Sequence, residues 1–192
     1  MLKKVNNNKG FTLIELLAVI VILGVLMIIA VPMVTQYIAS AKRSAFMATA
    51  KAYVSGARYA YLNGDYSCGS TNIDTGSGGA ILVPFSQIKV DKNNGMSSFN
   101  QTLSKDNNYV VIESDSSGAY TYYVRMVDEG GNGFSTAIDE DVLKKNDVKI
   151  KNSNKNVNIP NSNNKISAKG KNNTNNTNKD ITYTSCILDT GM

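Results

Sequence analysis

Glu15 is the one ionisable side chain in an otherwise apolar stretch, directly behind the junction Lys9-Gly10-Phe11-Thr12-Leu13-Ile14. From Leu16 to Val31 there is no polar side chain, and from Phe11 to Val34 only Thr12, Glu15 and Pro32 interrupt the run. A carboxylate in such surroundings is costly unless a partner meets it or it reaches the headgroups. Its chemistry is ion pairing, not catalysis. The rest of the chain offers no catalytic constellation. It has no His, no Trp and two Cys, so neither a Ser-His-Asp nor a Cys-His pair can be built, and imidazole metal sites are excluded. Gly76-Ser77-Gly78-Gly79 lacks the Lys-Ser/Thr sequel and the following helix of a phosphate loop, and reads as a flexible connector. No cofactor, metal or enzymatic activity is expected.

The element that must position Glu15 is a helix. About 20 apolar residues span a bilayer, and residues 11–34 supply them. Residues 1–10 form a short basic head with Lys3, Lys4 and Lys9 and no acid. A secretory signal would place a small-residue cleavage site beyond a shorter apolar core; Ala39-Ser40-Ala41 offers one, but the run is too long and carries a carboxylate. No cysteine follows closely, which excludes a lipoprotein signal. A removable signal and a plain signal anchor stand as rival readings.

Gly10-Phe11-Thr12-Leu13-Ile14-Glu15-Leu16, preceded by lysines and followed by the apolar run, resembles the class III leader of type IV prepilins. The resemblance is dense over residues 9–32, takes in Gly24 and Pro32, and is only architectural beyond. It implies that a membrane prepilin peptidase cuts between Gly10 and Phe11 and N-methylates Phe11. Glu15 then becomes the fifth residue of the mature chain, one helical turn from a new ammonium group. There, with Thr12, it serves filament assembly, pairing with its own terminus or with that of a neighbour displaced along the axis. The plainer alternative is that Glu15 reaches the headgroups.

The fold implied is the α+β pilin fold: a long N-terminal helix, half membrane-embedded and half amphipathic, packed on a small antiparallel β-sheet. The function implied is that of a structural pilus subunit, polymerised through its helix into a surface filament for motility, adhesion, biofilm growth or DNA uptake. Its partners would be copies of itself, the peptidase, an assembly platform with its motor ATPase, and minor pilins. The precursor would sit in the cytoplasmic membrane with its N-terminus inside, and the product outside on the cell surface. Two alternatives stay open: a pseudopilin of a type II secretion or competence system, and a signal-anchored adhesin that never polymerises.

Charge adds little. The formal net charge is +5 and the pI about 9.1, but loss of residues 1–10 leaves 17 Lys and Arg against 15 acids. No specific nucleic-acid partner follows from that balance.

Residues 35–192 read as the globular head. Its first part, 35–63, is Ala-rich; Ile38, Ala41, Ala45, Ala48, Ala52, Gly56 and Tyr59 recur at helical spacing and predict one packed face. Asn63-Gly64 predicts the helix stop. Some 52 helical residues would be roughly 78 Å long, long enough to project from the head. Pro32 predicts a bend and Gly24 a weak point. The resemblance implies that residues 24–32 lose helical order in a filament; a continuous helix with a mild kink is expected in the free subunit.

Residues 64–80 read as a polar loop. Ile81 to Val90 reads as a short strand or as a helical turn started at Pro84. Residues 109–138 read as an antiparallel three-strand meander, with Tyr120, Tyr122, Val124 and Met126 facing the helix. Asp139-Glu140-Asp141 reads as the acidic start of a helix rather than a calcium loop. Residues 151–180, rich in Asn, Lys and Ser, predict a long exposed loop, and 181–188 a final edge strand. Cys68 and Cys186 admit a single pairing, with the bridged and the free state both open; in the resembling family the bridged cysteines usually both lie nearer the C-terminus.

Overall fold

Helix formers run almost unbroken from Leu13 to Leu62, and in the computed structural model these residues form one helix, α1 (Leu13–Leu62). The structure describes residues 10–67, 79–90, 95–105, 107–151, 165–171, 178–185 and 187–188. Neither Gly24 nor Pro32 interrupts α1. Beyond the proline, the Thr35 hydroxyl donates to the Pro32 carbonyl (2.9 Å). The helix stops where a left-handed residue closes it. Gly64 has φ +76°, its N–H reaches the Tyr61 carbonyl (3.0 Å), and the Asp65 N–H reaches that of Ala60 (2.9 Å). This is the paired Schellman closure, which favours glycine at that position.

The chain divides into two compact units, residues 1–41 and 42–192. In the first, the large apolar side chains of α1 are exposed, from Leu13 at 86% to Ile38 at 47%. The helix is long and apolar enough to cross a membrane, so this surface calls for a non-aqueous environment.

In the second unit, α1 buries Phe46, Thr49, Ala50, Tyr53, Val54 and Ala57. This corrects the expected face. Ala45 and Ala48 are exposed, and Tyr59 is 70% exposed. Two stripes at spacings of three and four coexist on this segment, and the one carrying Phe, Tyr and Val removes more apolar area from water. Phe46 meets Phe134 edge-on, and Tyr53 stacks on Phe85 with ring centroids 3.8 Å apart.

The strands are β1 (Tyr66–Ser67), β2 (Gly79–Pro84), β3 (Tyr109–Ser114), β4 (Tyr120–Val127), β5 (Gly133–Asp139), β6 (Lys165–Lys169), β7 (Lys179–Thr182), β8 (Thr184–Ser185) and β9 (Ile187–Leu188). Seven form one sheet in the order β7-β6-β5-β4-β3-β2-β8, and β1 pairs with β9. β3, β4 and β5 are the expected meander, joined by antiparallel pairing. The segment at 81–90 resolves into both of its readings: β2, then a 3-10 turn Phe85–Gln87 after Pro84. The sheet is mixed rather than purely antiparallel, because β8 joins β2 and β6 joins β5 in parallel.

Both faces of the sheet are buried. Val124 and Met126, with half-buried Tyr120 and Tyr122, pack against α1 as predicted. The opposite face holds a second core of Leu82, Tyr109, Val111, Tyr123, Ala137, Ile166, Ala168, Ile181 and Tyr183. Residues from both ends of the sheet share it, so the sheet curls on itself. This explains why β2 and β3 read as continuous apolar runs instead of alternating.

Three further expectations are corrected. Residues 151–180 are not all exposed loop: β6 lies within them and β7 begins there, with Ile166 and Ala168 buried between outward Lys165, Ser167 and Lys169. That period of two marks a half-buried strand, and the polar composition around it hid the signal. Residues 181–188 are not one edge strand but parts of β7, β8 and β9, with Tyr183 turned into the second core. No α-helix starts at Asp139, which is followed by turn residues. Its carboxylate accepts the Asp141 N–H (2.9 Å) while Glu140 pairs with Arg58 and Asp141 with Lys171.

Candidate functional site

Thr12 immediately precedes the first helical residue, where four backbone N–H groups lack intrahelical acceptors. Its own N–H (2.8 Å) and hydroxyl (2.9 Å) both donate to Glu15 Oε2, and the Glu15 N–H returns a bond to Thr12 Oγ1 (3.3 Å). This is a reciprocal capping box. The signal was present in the sequence, since Thr-x-x-Glu ahead of an apolar run is its signature, but only an ammonium terminus and the headgroups were considered for Glu15. Both bonds converge on one carboxylate oxygen, Oε2. Gly10 and Phe11, both exposed, lie just ahead of this capped apolar helix. Gly24 and Pro32 lie further along the same helix, apart from this cluster. Cys68 and Cys186 lie outside the described residues.

The head has a larger concavity, of about 590 Å³, at one end of the sheet, lined by Arg58, Glu113, Tyr122, Asp139, Glu140, Lys171 and Lys179 among others. Its lining holds five carboxylates, Glu113, Asp115, Asp139, Glu140 and Asp141, against three cations, Arg58, Lys171 and Lys179, each of which is paired within it. Arg58 pairs with Glu140 and lies 4.2 Å above the Tyr122 ring, and Lys179 meets Glu113 at 2.6 Å. Tyr123 also donates to Glu113 (3.0 Å), and burial beside that carboxylate pushes its phenol well up. Among the described residues no cluster could hold a metal ion. Arg58 thus ties α1 to the end of β5, while Lys179 ties β7 to β3.

Sequence reading also missed Arg125, fully buried on β4 at an irregularity in the β4–β5 register. Its Nε donates to the Ser135 carbonyl (2.9 Å) and Nη1 to that of Asn107, while Nη2 has no hydrogen-bond partner among the described residues. Burial lowers its pKa. Asn108 completes the arrangement, donating to the Ser104 and Val127 carbonyls and accepting the Val127 N–H. These bonds hold the strand where the ladder shifts. Gly133 is required beside it: φ is +132°, and a Cβ there would sit 2.1 Å from the Met126 carbonyl oxygen.

Residues 5–31 match the family described as the prokaryotic N-terminal methylation motif. No curated protein and no solved structure matches the chain. The match covers the second half of the basic head with Lys9, the Gly10–Phe11 junction, the Thr12–Glu15 cap and most of the apolar stretch.

Proposed function

From a chain that carries the class III prepilin leader of type IV pilin-like proteins, we infer a structural subunit that is processed at its leader and then polymerises through α1 into a surface filament. The coarser statement, a type IV pilin or pseudopilin-type protein that inserts in a membrane by its apolar helix, is what the motif and the helix support directly. The observation that carries the finer reading is the exposed apolar surface of α1 joined to that leader. Residues 13–41 bury almost nothing within the chain itself, so bilayer and neighbouring helices are the two surroundings that would cover them in turn.

The peptidase would cut between Gly10 and Phe11, methylate Phe11, and leave an ammonium group beside the carboxylate of Glu15. In a bundle, the carboxylate of one copy and the terminus of another favour one axial stagger over others, because opposite charges attract more strongly in a poorly screened interior. Assembly platform, motor ATPase and minor pilins are the partners such a filament requires. The test is Glu15→Ala as the sole subunit in cells. It should be cleaved normally yet give few filaments by electron microscopy, and a normal filament yield would remove the pairing role. Long fibres on the unmodified cells fit a pilus. Fibres confined to the envelope would turn the assignment to a pseudopilin, and no fibre at all to an anchored adhesin.

A further inference from the structure

Lys42 is the first residue of the head unit, one helical turn beyond Ile38, the last large side chain of the exposed apolar run. Contacts within the head trace what surrounds it. The Lys42 carbonyl accepts the Ser98 hydroxyl (2.7 Å). One turn further on, Phe46 packs against Phe99 and against Phe134, the second residue of β5. Gly133, the first, exchanges both backbone hydrogen bonds with Lys149 (2.8 Å each), and the Lys151 N–H donates to the Asn132 side-chain oxygen (3.2 Å). β6 lies parallel to β5 with Ala168 beside Ala137, so Lys165, at the start of β6, lies toward this same end. Lys42, Arg43, Lys149, Lys151 and Lys165 thus gather where the chain enters the head. None of them makes an ion pair among the described residues. The acids beside them are Glu129, exposed in the β4–β5 turn, and Asp128, buried and bonded by Ser97 and Asn132. Ile150, between two exposed lysines, is itself 44% exposed.

We propose that this end of the head docks on the headgroup phosphates of anionic lipids on the head side of the bilayer. The inference rests on the reading that α1 inserts in a membrane, and adds a second membrane contact to the helix. Helix geometry sets the level. About 20 helical residues fill a hydrocarbon core about 30 Å thick. Counted from Leu16, just past Glu15, the core ends near Thr35, and Lys42 follows about 10 Å further along the helix. That is the outer margin of the headgroups, within one Debye length of their charge at about 0.1 M salt. Basic residues beside a span are drawn to anionic lipid. In Lys149-Ile150-Lys151 an exposed apolar side chain enters the interface while the cations on either side meet phosphate. Because α1 tethers the head to the bilayer, lipid phosphate is present at a high effective concentration that no dissolved anion matches. Lys3, Lys4 and Lys9 flank the other end of the span. Once a leader of residues 1–10 is removed, the cations left beside the membrane are those of the head, and their docking holds the helix at one depth.

The test reconstitutes the full-length chain into vesicles of phosphatidylcholine, alone or with phosphatidylglycerol, and checks insertion by flotation. Acetylation by an uncharged amine-reactive ester is then followed lysine by lysine with peptide mass spectrometry, exposed Lys89 and Lys105 serving as internal references. Relative to these, Lys42, Lys149, Lys151 and Lys165 should react at least about threefold more slowly when the anionic lipid is present. The difference should vanish near 1 M salt, where the Debye length is about 3 Å. Free phosphate added to the neutral vesicles should not reproduce it. Lys149→Gln/Lys151→Gln should restore faster reaction at Lys42 and Lys165, whereas Lys149→Arg/Lys151→Arg should keep both slow, which separates charge from folding. A chain that floats with both vesicles yet reacts alike in them overturns the docking and leaves insertion standing. Slowing that survives the Gln variant or high salt reflects mere nearness to the bilayer, and slowing by free phosphate a general anion site; either overturns the proposal, as does an Arg variant that behaves like the Gln one. A chain that floats with neither vesicle overturns insertion, and the docking with it.

Discussion

Glu15 has two sets of partners available at different stages. In the intact chain its carboxylate closes the first turn of α1 through Thr12; once residues 1–10 are gone, the proposed ammonium group lies within one turn of it. The two roles separate by substitution. Glu15→Gln keeps an amide oxygen able to cap Thr12, as Gln does in capping boxes, but removes the charge. If charge pairing sets the stagger, Glu15→Gln should assemble as poorly as Glu15→Ala; filaments at normal yield from the Gln variant would assign the residue to capping alone. Asp115 gives a second residue-scale test. The Ser117 hydroxyl (2.6 Å) and the N–H groups of Ala119 and Ser117 bond its carboxylate and hold its pKa below the usual value. A lowered folded pKa means the turn between β3 and β4 has its full contribution above about pH 4, the unfolded value, and loses it as pH falls through the folded one. Amide exchange at Ser117 and Ala119 should therefore quicken below pH 4 relative to β3, and Ser117→Ala should move that onset upward. A pH-independent protection ratio would contradict it.

At the scale of elements, the second half of α1 had two candidate faces, and the residues with more to bury won. Phe46→Ala should cost about 3–5 kcal/mol, the range for emptying a large aromatic site, whereas Ala48→Ser on the exposed stripe should stay within about 0.5 kcal/mol. Equal losses in denaturant melts would mean the small-residue face is the packed one. The helix, its Gly64 stop and the meander were legible because each has a local cause: helical periodicity, a left-handed cap, and strand runs split by Asp-Ser-Ser-Gly and Gly-Gly-Asn-Gly turns. β6 and β7 were not, since Ile166, Ala168 and Ile181 gain their value from a curl that no local window contains. The Thr12–Glu15 cap was legible and passed over; Arg125 was not, since nothing in Tyr-Val-Arg-Met marks a position sealed by both neighbouring strands.

For the whole molecule, the C-terminal segment is tied back at two places, β8 beside β2 and β9 beside β1. The β1–β9 register pairs Tyr66 with Leu188 and Ser67 with Ile187. We propose that Cys68 and Cys186, which follow β1 and precede β9 in sequence, are bridged. A loop of more than 100 residues closed this way is worth up to about 4.7 kcal/mol in the chain-entropy model. Thiol titration of the denatured, unreduced protein should find no free thiol, and a reductant should lower the melting temperature; two titratable thiols would remove the bridge.

The central claim is that a basic head is removed from an apolar helix, which then assembles by its new terminus. Intact-mass and N-terminal peptide mass spectrometry of the protein recovered from cells tests it most directly. The account predicts a chain starting at Phe11 whose amino group carries one added methyl. A chain retaining Met1, or one cut beyond Ala39-Ser40-Ala41, would contradict it.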